Sequence, residues 1–312
     1  MELELQSEYV MDFFCRRQDG LGFREVKNNA VSSDLFIPAD LLVFLKENSR
    51  KQWHNLLRKS NYNGDEQRLL RDIMDDIRKK IEASANVAVF LNNTLRQRPF
   101  VFEGETLRLL YVSGTELSGD EDFKKNIFSA VEEMTYSFHH EGKRVFTFRP
   151  DLSFFINGIF LGYAELKSNF TNQTARINGR NKVTTDYLEA VWEYTKIANG
   201  NDVSQTLRRR MLRPFEKSIH LVTTDVNDTF VLRNPGQFFD DAKKGFQEGT
   251  ISISSYRPIV DEVFKPLPTV AGEDDDPRVR FEEAMRSLYS KKMIEKEILY
   301  YNFMAYPYKT VQ

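Results

Sequence analysis

Cysteine is almost absent from this chain, because Cys15 is the only one among its 312 residues. A single cysteine excludes an intrachain disulfide and a cysteine-rich zinc module, and we interpret Cys15 as a structural residue of a helix. No apolar run approaches the ~20 residues that span a bilayer. The opening Met-Glu-Leu-Glu-Leu has neither the positive start nor the apolar core of a signal peptide. We therefore predict a soluble, cytoplasmic protein with no membrane contact.

Two common families of binding motif are also missing. The sequence contains no Gly-x-x-x-x-Gly-Lys-Ser/Thr and no Gly-x-Gly-x-x-Gly, so it offers no phosphate-binding loop. Its four histidines are not spaced as metal ligands, for example as His-Glu-x-x-His. Neither nucleotide binding nor a histidine metal site is predicted.

Neither sign of charge is in excess, since 44 Lys and Arg residues stand against 46 Asp and Glu, a formal net charge of -2. A chain that binds nucleic acid tightly by itself is usually basic, because phosphate neutralisation dominates such affinity. The charge is distributed unevenly: residues 176–217 hold nine basic and five acidic side chains, and residues 259–283 hold three and eight. Near-neutrality therefore argues against a tight stand-alone binder of nucleic acid, but not against a local basic patch.

The remaining composition is typical of a packed globular protein, with 41% hydrophobic residues, 25 Phe and 13 Tyr. That is enough for one large domain or two ordinary ones. Apolar spacing predicts an opening helix from Glu2 to Arg17, a second helix beginning at Pro38 and a third near 66–84. Residues 1–100 are therefore predicted to be a mostly helical N-terminal part.

Strand patterns begin after Phe100. They predict strands at 107–112, 134–139 and 145–148, while residues 123–131 fit either a helix or a strand. The strongest signal is Asn-Gly at 157–158 between two apolar runs, which predicts an antiparallel hairpin over 151–167.

The rest of the chain returns to helix, strand and linker patterns. Apolar spacing predicts a helix at 182–198, followed by strands at 219–223 and 229–232. Residues 258–277 contain four prolines and an acidic run, a composition typical of a linker, and a last helix is predicted from Arg278 to about Phe303. The predicted division is a core over 101–257, a linker over 258–277 and a helix within 278–312.

Three charged residues converge at one end of the predicted hairpin. Glu165 and Lys167 are two apart in a strand, so their side chains point to the same face. Pairing across the Asn157-Gly158 turn brings Asp151 opposite that end. We therefore expect two carboxylates and one ammonium group at one edge of a sheet.

Two converging carboxylates are costly unless a cation neutralises them, and hard oxygen ligands suit Mg²⁺, which retains waters and accepts phosphate oxygens. Such a metal polarises a phosphodiester and lowers the pKa of a bound water, while Lys167 orients or deprotonates that water. The sequence thus favours metal-assisted phosphodiester hydrolysis. The alternative is a structural ion pair between Glu165 and Lys167, because this pattern also arises by chance.

The run Arg-Pro-Asp-Leu-Ser-Phe-Phe-Ile-Asn-Gly-Ile-Phe-Leu-Gly-Tyr-Ala-Glu-Leu-Lys-Ser, residues 149–168, resembles the signature of the N-terminal nuclease domain of type I restriction enzyme R subunits, a PD-(D/E)xK nuclease. The resemblance implies an α/β, restriction-endonuclease-like fold: a mixed central sheet flanked by helices, with a helical N-terminal part and a C-terminal helical linker. It gives Asp151 and Glu165 the role of Mg²⁺ ligands and Lys167 that of the catalytic lysine.

The resemblance also bears on the helix after the lysine, where the family often carries Gln-x-x-x-Tyr. Here Tyr187 matches the tyrosine, but Val183 stands where the glutamine is expected, and Tyr187 fits the apolar core of the helix equally well. Some related nucleases use an acidic residue of the first helix, for which Glu8 is the nearest candidate; an ordinary exposed helical glutamate is the alternative.

The basic stretch beyond the hairpin supplies candidates for DNA contacts. Arg176, Arg180 and Lys182 lie in a polar segment beside the expected site, where basic side chains can contact phosphates. Arg208 to Arg210 are either a solvated helix face or a docking surface for another domain.

The resemblance further implies that duplex DNA and the modification and specificity subunits of a restriction complex are the partners. R subunits continue into an ATP-driven translocase, and no part of this sequence resembles one, so ATP would serve motor domains outside this chain, and we expect a fragment cut at a domain boundary. The expected activity is that of a Mg²⁺-dependent endonuclease without local sequence preference. The alternatives are a non-catalytic assembly module of the same fold and a stand-alone repair or defence nuclease.

Overall fold

The computed structural model describes residues 7–16, 18–96, 98–113, 122–168, 172–198, 205–225, 227–233, 235–236, 263–269 and 276–305. The α-helices given bounds within these ranges are α1 (Ser7–Cys15), α2 (Pro38–Asn48), α3 (Arg50–Leu57), α4 (Glu66–Ala83), α5 (Val87–Arg96), α6 (Arg180–Ala198), α7 (Gln205–Met211), α8 (Arg213–Glu216), α9 (Pro277–Tyr289) and α10 (Lys291–Ala305). The strands are β1 (Arg24–Val26), β2 (Val101–Phe102), β3 (Glu105–Thr106), β4 (Phe128–Glu132), β5 (Tyr136–His140), β6 (Lys143–Phe148), β7 (Leu152–Ile156), β8 (Ile159–Leu166), β9 (His220–Thr224), β10 (Thr229–Arg233) and β11 (Lys265–Pro266).

A seven-stranded sheet in the order β1-β4-β7-β8-β9-β10-β11 forms the centre of the described structure. The pairs β1–β4 and β8–β9 are parallel, and the other neighbours are antiparallel. Two short hairpins, β2–β3 and β5–β6, lie outside it. Helices pack on both faces, so the predicted mixed α/β fold with a central sheet flanked by helices is confirmed.

The sheet separates two apolar layers. Successive side chains of a strand point to opposite faces, so Phe154 belongs to one buried cluster and its neighbour Phe155 to the other. The first cluster holds side chains of α1 to α5, α9 and α10, and the second those of α6 to α8 and the β5–β6 hairpin. A layer of helix on each face buries β7, β8 and β9 along almost their whole length.

The helical N-terminal part follows its apolar spacing closely. In α4 the buried side chains Leu69, Ile73 and Ile77 recur at helical intervals, and the carboxylate of Asp65 caps the helix by accepting from the amide of Arg68 over 2.9 Å. The spacing did not reveal α3 and α5. The ends of the predicted opening helix at 2–6 and 17 lie outside the described residues.

The Asn157-Gly158 hairpin is present as predicted, with a β-bulge in β7–β8 beside Phe155. Both turn residues have positive φ, 49° and 77°, as a type I′ turn requires. The turn is buried: Asn157 donates to the carbonyl of Leu109 over 2.9 Å, and a Cβ on Gly158 would stand 2.4 Å from the carbonyl oxygen of Ile37. The turn is therefore part of the core, and only glycine fits its second position.

The strand predictions had different outcomes. The strands predicted at 134–139, 145–148, 219–223 and 229–232 are confirmed as β5, β6, β9 and β10. The ambiguous stretch at 123–131 holds both, a short 3₁₀ turn at Phe123–Lys125 and the first residues of β4. The strand predicted at 107–112 is wrong. In that segment side chains take the place of a neighbouring strand: Ser49 accepts from the amide of Arg108, and Asn126 accepts from that of Tyr111.

The single helix predicted from Arg278 is wrong in one respect, because it is two helices, α9 and α10, separated at Ser290 by an extended backbone (ψ 145°). Both pack on the first apolar layer, where the ring of Tyr289 lies 3.9 Å from that of Phe154 between centroids. Within the predicted linker, residues 265–266 pair with β10 at the edge of the sheet. Its residues 258–262 and 270–275 lie outside the described part.

A buried ionic network holds α10 against the sheet. Glu297 accepts from the ring Nδ1 of His220 on β9 over 2.8 Å and also pairs with Arg233 on β10. Burial alone would raise the pKa of Glu297, but His220 and Arg233 outweigh it and lower the pKa to about 2. The carboxylate is therefore ionised at neutral pH and bridges helix and sheet.

Candidate active site

One edge of the sheet gathers the ends of several central strands. The chain leaves β4, β8 and β9 at this edge and enters β7 and β10 there, because β4 and β8 both run antiparallel to β7 and β9 runs parallel to β8. Asp151 directly precedes β7, and Lys167 directly follows β8. The topology thus brings the two ends of the hairpin to one place.

Asp151 is fixed by a backbone contact to the opposite strand. One carboxylate oxygen accepts from the amide of Leu166 over 2.7 Å, and the side chain is partly exposed. This hydrogen bond occupies one oxygen, and the pairing of Leu152 with Ala164 places Asp151 across the hairpin from Glu165. The convergence predicted for Asp151 and Glu165 is therefore present.

Glu165 is fully buried, and each of its oxygens faces a lysine. Oε2 lies 3.3 Å from Nζ of Lys167, and Oε1 lies 3.4 Å from Nζ of Lys182. Burial and the negative charge of Asp151 raise the pKa of Glu165 to about 8, although both lysines act in the opposite direction. Burial is the larger of the two causes, because water solvates the charged form of this carboxyl group poorly.

Lys167 is held rigidly. Its side chain is 9% exposed, and its backbone amide donates to the carbonyl of Thr224 over 2.9 Å, which extends the β8–β9 pairing by one residue. A five-residue π-helical turn, Ala175–Gly179, presses on the same place. A Cβ on Gly179 would stand 1.6 Å from Oγ1 of Thr223 and 3.4 Å from Cγ of Lys167, so glycine is what lets the turn close over the lysine.

The turn is anchored from both sides. Asp225, just after β9, accepts from the amide of Ala175 over 2.7 Å, and Oγ1 of Thr174 accepts from the amide of Ile177 over 3.2 Å. Single π-helical turns occur frequently at functional sites. Here the turn leads directly into α6 and sets the position of that helix's first residues beside Glu165.

Lys182 and Asp186 form the wall of the site on α6. Their ammonium and carboxylate groups are 2.7 Å apart. Burial opposes the charge of Lys182, but Glu165 and Asp186 outweigh it and raise the pKa of the ammonium group. The sequence pointed to Lys182 only as a DNA contact and missed Asp186 altogether, although a Lys-x-x-x-Asp spacing places both on one helix face.

The other two candidates for DNA contact differ in exposure. The side chain of Arg176 is 61% exposed and pairs with Asp228 at 3.5 Å, whereas Arg180 is buried with its guanidinium 4.7 Å from the ring centroid of Phe230. Both line a cleft of about 450 Å³ between the π-helical turn and Phe230. Arg176 is available to a phosphate, and Arg180 mainly packs.

The remaining candidates lie away from the carboxylates of Asp151 and Glu165. Tyr187 is fully buried, with its hydroxyl 3.1 Å from a carboxylate oxygen of Glu216, and it packs in the core of α6 and α8. Glu8 is exposed on α1. In the basic run at 208–210, Arg208 pairs with Glu216 and Arg210 with Asp34, both internally.

The residues present fit a divalent cation with few protein ligands. Oε1 of Glu165 is buried without a hydrogen bond in the described structure, as are Oγ1 of Thr223 and the hydroxyl of Tyr163 on the same sheet face. Among the described residues no group of three or more His, Cys, Asp or Glu side chains is arranged to hold a metal. A metal here would have Asp151 and Glu165 as ligands, and Mg²⁺ commonly binds one or two carboxylates and completes its shell with water and phosphate.

Comparison with known proteins identifies the family of this chain. No helix in the described part of the chain is long and apolar enough to cross a membrane, and no curated protein matches the sequence. The profile of the family described as Type I restriction enzyme R protein N terminus matches residues 42–203. This match spans half of the chain, from α2 to the residues after α6, and includes Asp151, Glu165 and Lys167. The chain therefore belongs to the family of type I restriction enzyme R protein N-terminal domains.

Proposed function

We propose that this chain is the Mg²⁺-dependent endonuclease domain of a type I restriction enzyme R subunit, which hydrolyses phosphodiester bonds of duplex DNA without local sequence preference. The observation that carries the proposal is the convergence of Asp151 and Glu165 beside a buried lysine at one edge of the sheet. Glu165 is fully buried, with Lys167 at 3.3 Å. Burial and the nearby Asp151 both disfavour a negative charge on Glu165, and a divalent cation held by the two carboxylates would offset that cost.

Bound there, Mg²⁺ would polarise the scissile phosphate and lower the pKa of a coordinated water. The chain's own residues do the rest. The Leu166 amide fixes the carboxylate of Asp151, and the rigid Lys167 presents its ammonium group where it can orient the attacking water and stabilise developing negative charge. Burial of Glu165 strengthens each of these electrostatic contacts, because less water screens them.

The substrate surface would continue from the edge of the sheet to the π-helical turn. Arg176 is exposed beside the site and can contact a DNA phosphate, which positions the duplex without reading its sequence. The modest local basic excess and the overall charge of -2 suit a domain that does not retain DNA alone. We propose that ATP-driven motor domains outside this chain deliver the DNA, that modification and specificity subunits select the target, and that the complex acts in the cytoplasm.

The test is cleavage by the complete restriction complex carrying Asp151→Ala or Lys167→Ala. Both variants should lose DNA cleavage by more than about 100-fold, a loss typical of removing one electrostatic contact in a transition state. ATP hydrolysis should persist, because it belongs to other domains. Unimpaired cleavage by either variant would overturn the assignment.

One observation favours a second candidate, a non-catalytic assembly module. Glu165 and Lys167 do form an ion pair, and Glu165 is inaccessible to solvent. If pairing were their only role, Glu165→Gln with Lys167→Met should preserve cleavage and lower the thermal stability of the chain. If the two residues are catalytic, the same double variant should instead lose DNA cleavage, whatever its thermal stability.

A further inference from the structure

Lys182 has a position that the proposed hydrolysis does not use. Its ammonium group lies between two carboxylates, 3.4 Å from Oε1 of Glu165 and 2.7 Å from Oδ2 of Asp186. The contact with Asp186 is a hydrogen bond within one helix turn, and the contact with Glu165 crosses from α6 to the sheet. Lys182 is thus the only described residue of α6 whose charged group reaches Glu165.

The two lysines on Glu165 differ in their freedom to move. Lys167 is 9% exposed, its amide is paired with Thr224, and Gly179 closes over its side chain. The side chain of Lys182 is 40% exposed, near the start of α6. Only Lys182 can leave Glu165 without disturbing the sheet, and Asp186 on the next turn can retain it when it does.

The charges around Glu165 explain why such a movement is useful. Asp151, Glu165 and Asp186 place three carboxylates close to two ammonium groups, since Asp151 and Lys167 both act on the pKa of Asp186. With a divalent cation held by Asp151 and Glu165, the ammonium group of Lys182 would be repelled from Oε1 of Glu165. An ammonium group released beside a metal-bound phosphodiester is a suitable partner for its oxygens, because lysine is a flexible point charge.

We propose that Lys182 is a phosphate-binding residue of the reaction centre: it neutralises Glu165 before the divalent cation binds and then contacts a non-bridging oxygen of the DNA phosphodiester. Asp186 is its positioning residue, which holds the ammonium group near the site in both states. This inference rests on the proposed nuclease function.

The first test is calorimetric titration of the 312-residue chain with Mn²⁺. An opposite charge at such a distance lowers the pKa of a carboxyl group by about one unit or more, that is, it weakens the binding of a proton about tenfold. Removing that charge with Lys182→Met should therefore tighten Mn²⁺ binding about tenfold. Asp186→Asn should weaken it, because Lys182 then has Glu165 as its only carboxylate partner. Lys182→Arg, which retains the charge, should stay within about threefold of the parent chain, and these opposite shifts are not expected of residues that only support the fold.

The second test measures duplex DNA binding with Ca²⁺ in place of Mg²⁺. Lys182→Met should lower the DNA affinity and reduce the salt slope by about 0.9, the value of one phosphate contact, and Lys182→Arg should restore both. A matched control is Lys79→Met, which removes another helical lysine paired with an aspartate one turn away, Asp75; it should change neither quantity.

The outcomes separate this inference from the proposed function. Asp151→Asn should abolish Mn²⁺ binding; if it does not, the metal site itself is wrong. If Asp151→Asn abolishes binding but Lys182→Met and Asp186→Asn leave Mn²⁺ affinity unchanged or shift it in the same direction, the nuclease proposal survives and the role of Lys182 is overturned. Should Lys182→Met fail to fold, Lys182→Gln and Asp186→Asn decide by the same two measurements.

Discussion

The carboxylate of Asp151 accepts a hydrogen bond from the backbone amide of Leu166 over 2.7 Å, across the open end of the β7–β8 hairpin. This contact joins the residue before the first strand to the last residue of the second. Together with the pairing of Leu152 and Ala164, it places Asp151 across the hairpin from the buried Glu165. The geometry of the site thus depends on the pairing of a single hairpin, whose opposite end is a turn buried in the core.

Gly179 is predicted to be irreplaceable for steric reasons. Gly179→Ala would put a methyl group 1.6 Å from Oγ1 and 2.8 Å from Cβ of Thr223, so the π-helical turn must move off β9. We expect a loss of about 1–3 kcal/mol in the free energy of unfolding, typical of overpacking, measured by urea denaturation.

Two further variants serve as controls for this experiment. Thr223→Ala in the Gly179→Ala background removes the nearest atom and should restore part of the lost stability. Ile177→Ala alters an exposed residue of the same turn and should change stability by less than about 0.5 kcal/mol. An unchanged unfolding free energy for Gly179→Ala would mean that the turn does not press on β9.

Arg176 and Arg180 are predicted to act differently although both are basic neighbours of the site. Arg176→Gln should reduce the salt slope of duplex DNA binding by about one phosphate contact and leave thermal stability unchanged. Arg180→Gln should lower the melting temperature, because its guanidinium is buried against Phe230. Fluorescence anisotropy at several salt concentrations and thermal melts distinguish the two; equal effects on both readouts would contradict this division.

Glu297 is predicted to make the stability of the chain sensitive to acid. Its pKa falls from 4.5 to about 2 on folding, so the stability it contributes is present above pH 4.5 and is lost as the pH falls from about 4.5 towards 2. Glu297→Gln should cost roughly 3 kcal/mol at neutral pH, because it removes the buried carboxylate that pairs with Arg233 and contacts the ring of His220. The cost should shrink over that acid range.

The measurement is the free energy of urea unfolding as a function of pH. Glu141→Gln is the control, because that carboxylate is 85% exposed and should show no comparable dependence. A pH profile of Glu297→Gln parallel to that of the parent chain below pH 4.5 would refute the assignment.

Much of the fold could be predicted from the sequence because its signals are local. The Asn157-Gly158 turn, the alternation at 134–139 and the apolar spacing of α4 each depend on residues a few positions apart. The 107–112 segment has the same apolar character as a strand, but its backbone is paired by Ser49 and Asn126. Such partners are distant in sequence, and no local pattern reveals them.

The site was predictable in part for the same reason. Asp151, Glu165 and Lys167 are related by one hairpin, so strand periodicity brings them together. Lys182 and Asp186 reach the site only because Gly179 lets the preceding turn pack on β9, a tertiary contact that the sequence does not display. Arg180 was predicted to contact DNA from its charge and its position in a polar segment beside the expected site, but the structure buries it against Phe230.

The most direct test of the proposed metal site is anomalous diffraction from crystals of the chain soaked in Mn²⁺. We predict a peak between the carboxylates of Asp151 and Glu165, with Lys182 displaced from Oε1 of Glu165, and no peak in Asp151→Asn. A metal-binding role for Asp151 and Glu165 would be contradicted if saturating Mn²⁺ gave no peak at this position while Lys167 and Lys182 both remained on Glu165.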